Sequence, residues 1–402
     1  MFDYTKKVLS SYFGKAPSEE FRRKCQDLPR DYSDLPKLFR FFDGREVKTV
    51  EDFELHRKEI LDYYAKEVYS PIPNLPCELF FRTLETGEYN GMIREQVELK
   101  AKNEHGENVA TILIYRPKVD NPVPLIIGQN FDGNFAITPD ESVIVTESSL
   151  SEKAVAKKRG KSKQFDVRQI VGRNVALMTC HYKDFAEDNK KRYKDRLGKL
   201  FLGQNDLSAL SILALGYRFM VDYALSRKEF DKNKIALFGH SRIGKTALWA
   251  SANDPRVALT ILNDSGCMGA NLCLGSTGET IKMITKTFPH WFSKNIEKYA
   301  REASRLSVDQ HMLLAAIAPR KLYVANGYSD LCADPQGSYN SLQFALPAFE
   351  LFGLKTIPKT FLQPPVDTCE FSESVAYHIR RGSHDVLPED WNFYLDYIEK
   401  YL

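Results

Sequence analysis

The chain has 402 residues, 43% of them hydrophobic and 12% aromatic, which is ample apolar surface for a large buried core. Lysine plus arginine number 56 against 53 aspartates plus glutamates, for a formal net charge of +3. So near a balance gives no field suited to nucleic acid as the main partner. No apolar run reaches the length of about 18 residues that a membrane-spanning helix needs.

The opening stretch MFDYTKKVLSSYFGK lacks the apolar core of a secretory signal. Seven cysteines (Cys25, Cys77, Cys180, Cys267, Cys273, Cys332 and Cys369) are odd in number and scattered, with no CxxC pair and no zinc spacing. They read as reduced thiols, and the expectation is a cytoplasmic protein with no metal.

Residues 1 to 75 are charged and aromatic, with helical spacing in VEDFELHRKEILDYYAKEVY. They predict a helical extension packed on a main domain over 76–402. MIREQVELKAKNEHGENVATILIYRPK alternates apolar residues about a glycine turn and predicts a β-hairpin. VPLIIGQNF, NVALMTCHY, KIALFGHS, VALTILND and KLYVANGYS then predict buried strands. They alternate with helical stretches such as LSALSILALGYRFMVDYALS and GKTALWASA. That alternation predicts a mostly parallel sheet covered on both faces, a three-layer α/β sandwich. Residues 138–164, with their KKRGKSK run, predict a solvated loop, because the basic run is short and lacks interleaved aromatics. PEDWNFYLDYIEKYL predicts a closing helix with acidic residues in its first turn.

IALFGHSRIGKTALWA carries the strongest chemical signal. An apolar strand runs through Gly239 and His240 to Ser241 and straight into a helix-forming segment. A serine on so sharp a strand-to-helix turn is pushed out above the C-terminal edge of the sheet, where the helix N-terminus favours developing negative charge. The usual pattern has glycine two places after the serine; here Ile243 stands there and Gly244 follows. The same residues match GxxxxGK[ST], which would put Lys245 and Thr246 on phosphate and magnesium. Against that reading, the motif falls late in the chain and a histidine and acids follow it.

A neutral serine hydroxyl is a poor nucleophile and needs a base. VAYHIRRGSHDVLPEDW supplies a strand, a turn and then His384, in the order Ser, acid, His that suits this elbow. His378 lies within the strand and reads as structural. Two acids end consecutive predicted strands, Asp264 in ILNDSG and Asp330 after KLYVANGYS. Either could orient the imidazole.

GHSRIGKTALWA, ILNDSGCMGA, FPHWF, VDQHMLLAAIAPR, SDLCADPQG and YHIRRGSHD, in this order, resemble the bacterial glucuronoyl esterases of carbohydrate esterase family 15, from about residue 50 to the C-terminus. The resemblance implies an α/β-hydrolase fold and disposes of the phosphate loop. It implies a catalytic domain over 76–402 that cleaves esters of xylan-borne 4-O-methyl-glucuronate with lignin alcohols through an acyl-enzyme. Position by position, Ser241 matches the nucleophile and His384 the base. Arg242 matches an oxyanion-stabilising arginine, and Lys245 and Glu279 match contacts to sugar hydroxyls. Asp264 and Asp330 match the two alternative acid positions. No cofactor is implied. The implied partner is a glucuronoxylan-derived or similar carbohydrate ester, with no nucleic acid and no membrane, met by a monomer. An enzyme kept in the cytoplasm would meet imported oligosaccharide esters rather than polymer.

Two departures stand out. Bacterial relatives often carry tryptophan where this chain has Cys332, which removes an aromatic face worth about 1 kcal/mol or more to a sugar ring. Fungal relatives join the residues before the nucleophile and after the base by a disulfide; here they are His240 and Asp385, expected to form a polar or ionic pair. Two other functions stay open: an acetylxylan or other small-ester esterase on the same fold, and a non-catalytic carbohydrate-binding protein.

Overall fold

Parallel strands buried on both faces need helices on both sides, and that requirement organises the molecule. The computed structural model describes residue 28 and residues 30–74, 76–147, 150–204 and 206–402. Of the segment 1–75, residues 1–27, 29 and 75 therefore lie outside the described residues, Cys25 among them. After helix α1 (Val50–Tyr64) and one π-turn (Ala65–Tyr69) come strands β1 (Glu78–Tyr89), β2 (Met92–Asn103), β3 (Gly106–Arg116) and β4 (Val123–Asn130). Helices α2 (Glu152–Lys158) and α3 (Val167–Gly172) lead to β5 (Ala176–His181). Helix α4 (Ala209–Ser226), β6 (Phe230–His240), α5 (Ser241–Ala252) and β7 (Leu259–Asn263) follow. The chain continues through α6 (Ile281–Thr287), α7 (Gln310–Ala315), β8 (Lys321–Gly327) and α8 (Pro335–Leu351) to β9 (Thr368–Phe371), β10 (Val375–Arg380) and α9 (Pro388–Tyr401).

The strands form one sheet in the order β1-β2-β3-β5-β4-β6-β7-β8-β10-β9. From β5 to β10 each neighbouring pair is parallel, while β1–β2, β2–β3, β3–β5 and β10–β9 are antiparallel. The period of two along each strand divides the core. Leu125, Ile127, Leu237 and Val324 join one apolar cluster with α4, α5 and α8. Ile126, Ala236, Phe238 and Tyr323 join a second with α3 and α9. This is the three-layer α/β-hydrolase sandwich expected, and the hairpin, the buried strands and the closing helix fall where the patterns predicted them.

Helix α1 docks on the first cluster through the buried Phe53 and Ile60. Its Thr49 and Asp52 form a reciprocal cap, and Arg57 donates to the carbonyl of Ala318. The stretch 138–164 corrects an expectation, because it is not all loop. Ser151 caps α2 by accepting from Ala154 N–H, Glu152 stands in the first turn and Lys157 and Lys158 in the last, so the first two lysines of the basic run close a helix whose dipole favours them. Helix α8 and the edge strands β1 and β9 were not anticipated. Among the described residues, no helix is long and apolar enough to cross a membrane.

Candidate active site

Because β6, β7, β8 and β10 run parallel, their C-terminal ends share one edge of the sheet. Each delivers a side chain there: Ser241 after β6, Asp264 after β7, Asp330 after β8 and His384 after β10. The elbow is strained. Ser241 sits at φ 56°, a left-handed conformation that an L-residue holds only when its surroundings impose it. Gly239 permits the close turn, since a Cβ there would lie 2.2 Å from the carbonyl oxygen of Ile243. Gly244 does the same against Ser265. The shifted glycine is thus accounted for by packing one residue later in α5. With Gly239 in a strand and Gly244 inside a helix, no loop exists to wrap a phosphate. Helix α5 begins at Ser241 itself, and the His240 side chain before it makes no capping hydrogen bond.

His384 Nδ1 lies 2.5 Å from Oδ2 of Asp330, with both side chains largely buried. Burial opposes charge on the imidazole, but the attraction of Asp330, this hydrogen bond and nearby Asp264 together raise His384 above its ordinary value. Burial likewise opposes charge on Asp330, yet His384 and the Ala333 N–H hold its carboxyl below the usual range. Asp264 behaves oppositely: burial and the charge of Asp330 push it upward. It accepts from Gly327 N–H at 2.8 Å and lies 3.4 Å from Nη2 of Arg380. Of the two acids, then, Asp330 holds the imidazole and Asp264 stands behind it. Among the described residues, Asp264, Asp330 and His384 also form the one trio whose ligand atoms lie within 4.8 Å of one another.

Arg380, which no motif argument singled out, steadies the histidine loop. Almost wholly buried, it donates through Nε to Asp390 at 2.7 Å and through its terminal nitrogens to the carbonyls of Ser383 and Asp385, the neighbours of His384. His378 is structural, bridging Tyr323 Oη at 2.9 Å and Asp390 at 2.8 Å. The expected His240–Asp385 pair is absent. His240 Nδ1 instead meets Asn263 Oδ1 at 2.6 Å, and burial beside His384 pushes its pKa down to about 3, so it carries no charge to pair. Asp385 turns outward, 3.7 Å from Lys163. The two catalytic loops touch through ring contact, His240 to His384 at 4.6 Å between centroids.

Arg242 extends along the elbow with Nη1 2.6 Å from Oδ2 of Asp188, its guanidinium over the rings of Phe131, Tyr182 and Trp291. Lys245 Nζ donates to Ser265 O at 2.7 Å and lies 3.3 Å from Glu279. Burial raises the Glu279 carboxyl while Lys245 counters it. Both are buried, and both act electrostatically on His384 or feel it. Cys332 is buried, its carbonyl accepting from Glu279 N–H at 2.9 Å. In the loop after β4, Phe131 N–H donates to Gln164 and Gly133 N–H to Asn130, so these two amides are already engaged. All seven sequence-predicted site residues therefore gather at one edge. Asp188 and Arg380 were missed because lone charges in loop or strand carry no pattern of their own.

This arrangement can generate a serine nucleophile and receive the negative charge of a tetrahedral intermediate. A family model described as glucuronyl esterase of fungi matches residues 164–353. A solved glucuronoyl esterase from Solibacter usitatus is 30% identical, superposes with a TM-score of 0.84, and the match covers 93% of this chain and 98% of that one. A solved structure of a promiscuous carbohydrate esterase family 15 enzyme from a marine bacterial metagenome is 28% identical with a TM-score of 0.83, covering 93% of this chain and all of the other. The 4-O-methyl-glucuronoyl methylesterase 1 of Phanerochaete chrysosporium is 29% identical over 192 residues, 45% of this chain and 40% of that enzyme.

Proposed function

The chain belongs to the glucuronoyl esterase family, and from that premise we propose that it hydrolyses esters of 4-O-methyl-glucuronic acid carried on glucuronoxylan-derived fragments, with Ser241 as nucleophile. It is a carboxylic ester hydrolase of the α/β-hydrolase fold. The observation that carries the residue assignment is the 2.5 Å contact between His384 Nδ1 and Asp330, made at the sheet edge where the Ser241 elbow ends.

Nδ1 of His384 meets Asp330, and Nε2 takes the proton of Ser241. The alkoxide attacks the ester carbonyl, and the α5 N-terminus with Arg242 faces the oxyanion that forms. The alcohol leaves with the proton held by His384; water, deprotonated by the same nitrogen, then releases the uronic acid. Lys245 and Glu279 meet the sugar hydroxyls beside the reacting carbonyl.

A second reading, an esterase tolerant of other acids such as acetate on xylan, is favoured by Cys332: a buried thiol offers no face for a pyranose to stack on. Hydrolysis of methyl and benzyl 4-O-methyl-glucuronate compared with acetylated xylan and 4-nitrophenyl acetate decides between them. A kcat/KM for the uronate esters no greater than for the acetates would overturn the first reading. Turnover surviving in Ser241→Ala would overturn both.

A further inference from the structure

Asp188 lies in the connection after β5, far in sequence from every catalytic residue, and yet it is half of the ion pair made by Arg242. Its two oxygens are fully subscribed. Oδ2 meets Arg242 Nη1 at 2.6 Å, while Oδ1 meets His290 Nε2 at 2.9 Å and accepts from Trp291 Nε1 at 2.7 Å. Trp291 is itself held flat against Phe288, ring centroids 3.9 Å apart and planes 3° from parallel, and its other face looks onto the guanidinium at 5.5 Å. Phe131 and Tyr182 close the remaining sides at 5.0 and 4.6 Å. Within this box Arg242 Nε is buried without a hydrogen-bond partner, so the guanidinium keeps donor capacity in reserve.

An arginine on the first turn of a helix would ordinarily sample many rotamers, and a donor that must be found and ordered during the reaction stabilises a transition state poorly. A carboxylate anchored by two rigid rings removes that search. The surrounding N–H donors also draw on its charge, and burial is outweighed by them and by Arg242, which keeps the carboxyl below its usual range and hence ionised. We propose that Asp188 is a positioning residue for the ester hydrolysis, holding the Arg242 guanidinium in the aromatic box of Phe131, Tyr182 and Trp291 so that it is already in place when the oxyanion forms. This rests on the oxyanion role given to Arg242 above. Asp188 touches no reacting atom; it acts through the arginine.

The test is a double-mutant cycle on benzyl glucuronate, with thermal melting to follow the fold. Asp188→Ala is expected to lower kcat on the order of 10- to 100-fold, the scale of a donor displaced by about 1 Å, with a smaller change in KM. Asp188→Asn keeps the shape and loses the charge, so it should fall between; should the alanine variant not fold, it carries the cycle alone. In an Arg242→Ala background either substitution should cost less than about twofold, because the group it positions is gone. An equal loss in both backgrounds, or a loss confined to KM, would overturn the proposal. If Arg242→Ala by itself keeps the kcat of the unaltered enzyme, the oxyanion role of the arginine fails instead, and that outcome is read from the single variant alone.

Discussion

Asp264 sits 3.4 Å from Arg380 while Asp330 takes the imidazole of His384 at 2.5 Å, so two acids ending adjacent strands do different work. Asparagine at residue 330 cannot accept the Nδ1–H and charge-stabilise the imidazolium together. Asp330→Asn should therefore lower kcat by about 10³- to 10⁴-fold, and Asp264→Asn by far less. Steady-state kinetics on a glucuronate ester measure both. A larger loss for Asp264→Asn would reverse the assignment.

The same geometry sets a pH dependence. His384 must be neutral to accept a proton, and its pKa is raised by Asp330, so the acidic limb of kcat/KM should titrate above the ordinary histidine value of about 6.5, activity rising with pH through it. Asp264 adds to that rise only where it is ionised, and burial with the charge of Asp330 pushes its own carboxyl up to about 8, so Asp264→Asn should move the limb only slightly to lower pH while leaving a measurable rate. A limb that stays put in this variant would mean that Asp264 exerts no field on the base.

Arg380 neutralises Asp264 and Asp390 in the interior and grips both flanks of His384. Arg380→Met leaves buried carboxylates without a counter-charge. It should destabilise the fold by about 3–5 kcal/mol, measured by urea unfolding. Loss of under about 1 kcal/mol would show that water relieves those acids unaided.

Ser241 holds a left-handed conformation that glycine adopts without steric cost. Ser241→Gly should thus abolish turnover while raising stability by about 1 kcal/mol, visible as a higher melting temperature. Ser241→Ala, equally inactive, retains the strain and should melt lower than the glycine variant.

Lys245 and Glu279 form a buried pair beside the base. Glu279→Gln should raise KM for glucuronate esters severalfold and leave hydrolysis of 4-nitrophenyl acetate nearly unchanged, since acetate has no hydroxyl for the pair to meet. Parallel losses on both substrates would assign the glutamate to the chemistry rather than to the sugar.

Much of this molecule follows from local pattern. The period-two apolar runs and the long amphipathic helices name the layers, because burial on one or both faces leaves a periodic trace in the chain. The elbow at Ser241 and the turn at His384 are legible too, since the chemistry sits at strand ends that those runs locate. Other features depend on pairings between segments far apart, and no local pattern encodes them. Whether Asp264 or Asp330 meets the imidazole turns on where the β7 and β8 loops end and on the buried charge of Arg380. The partner of Arg242 is 54 residues away in the chain, and the partner of His240 is Asn263 rather than Asp385. Hydrophobic periodicity dictates which elements form; only their packing decides which charges share a low-dielectric interior, and it is there that protonation, and with it catalysis, is set.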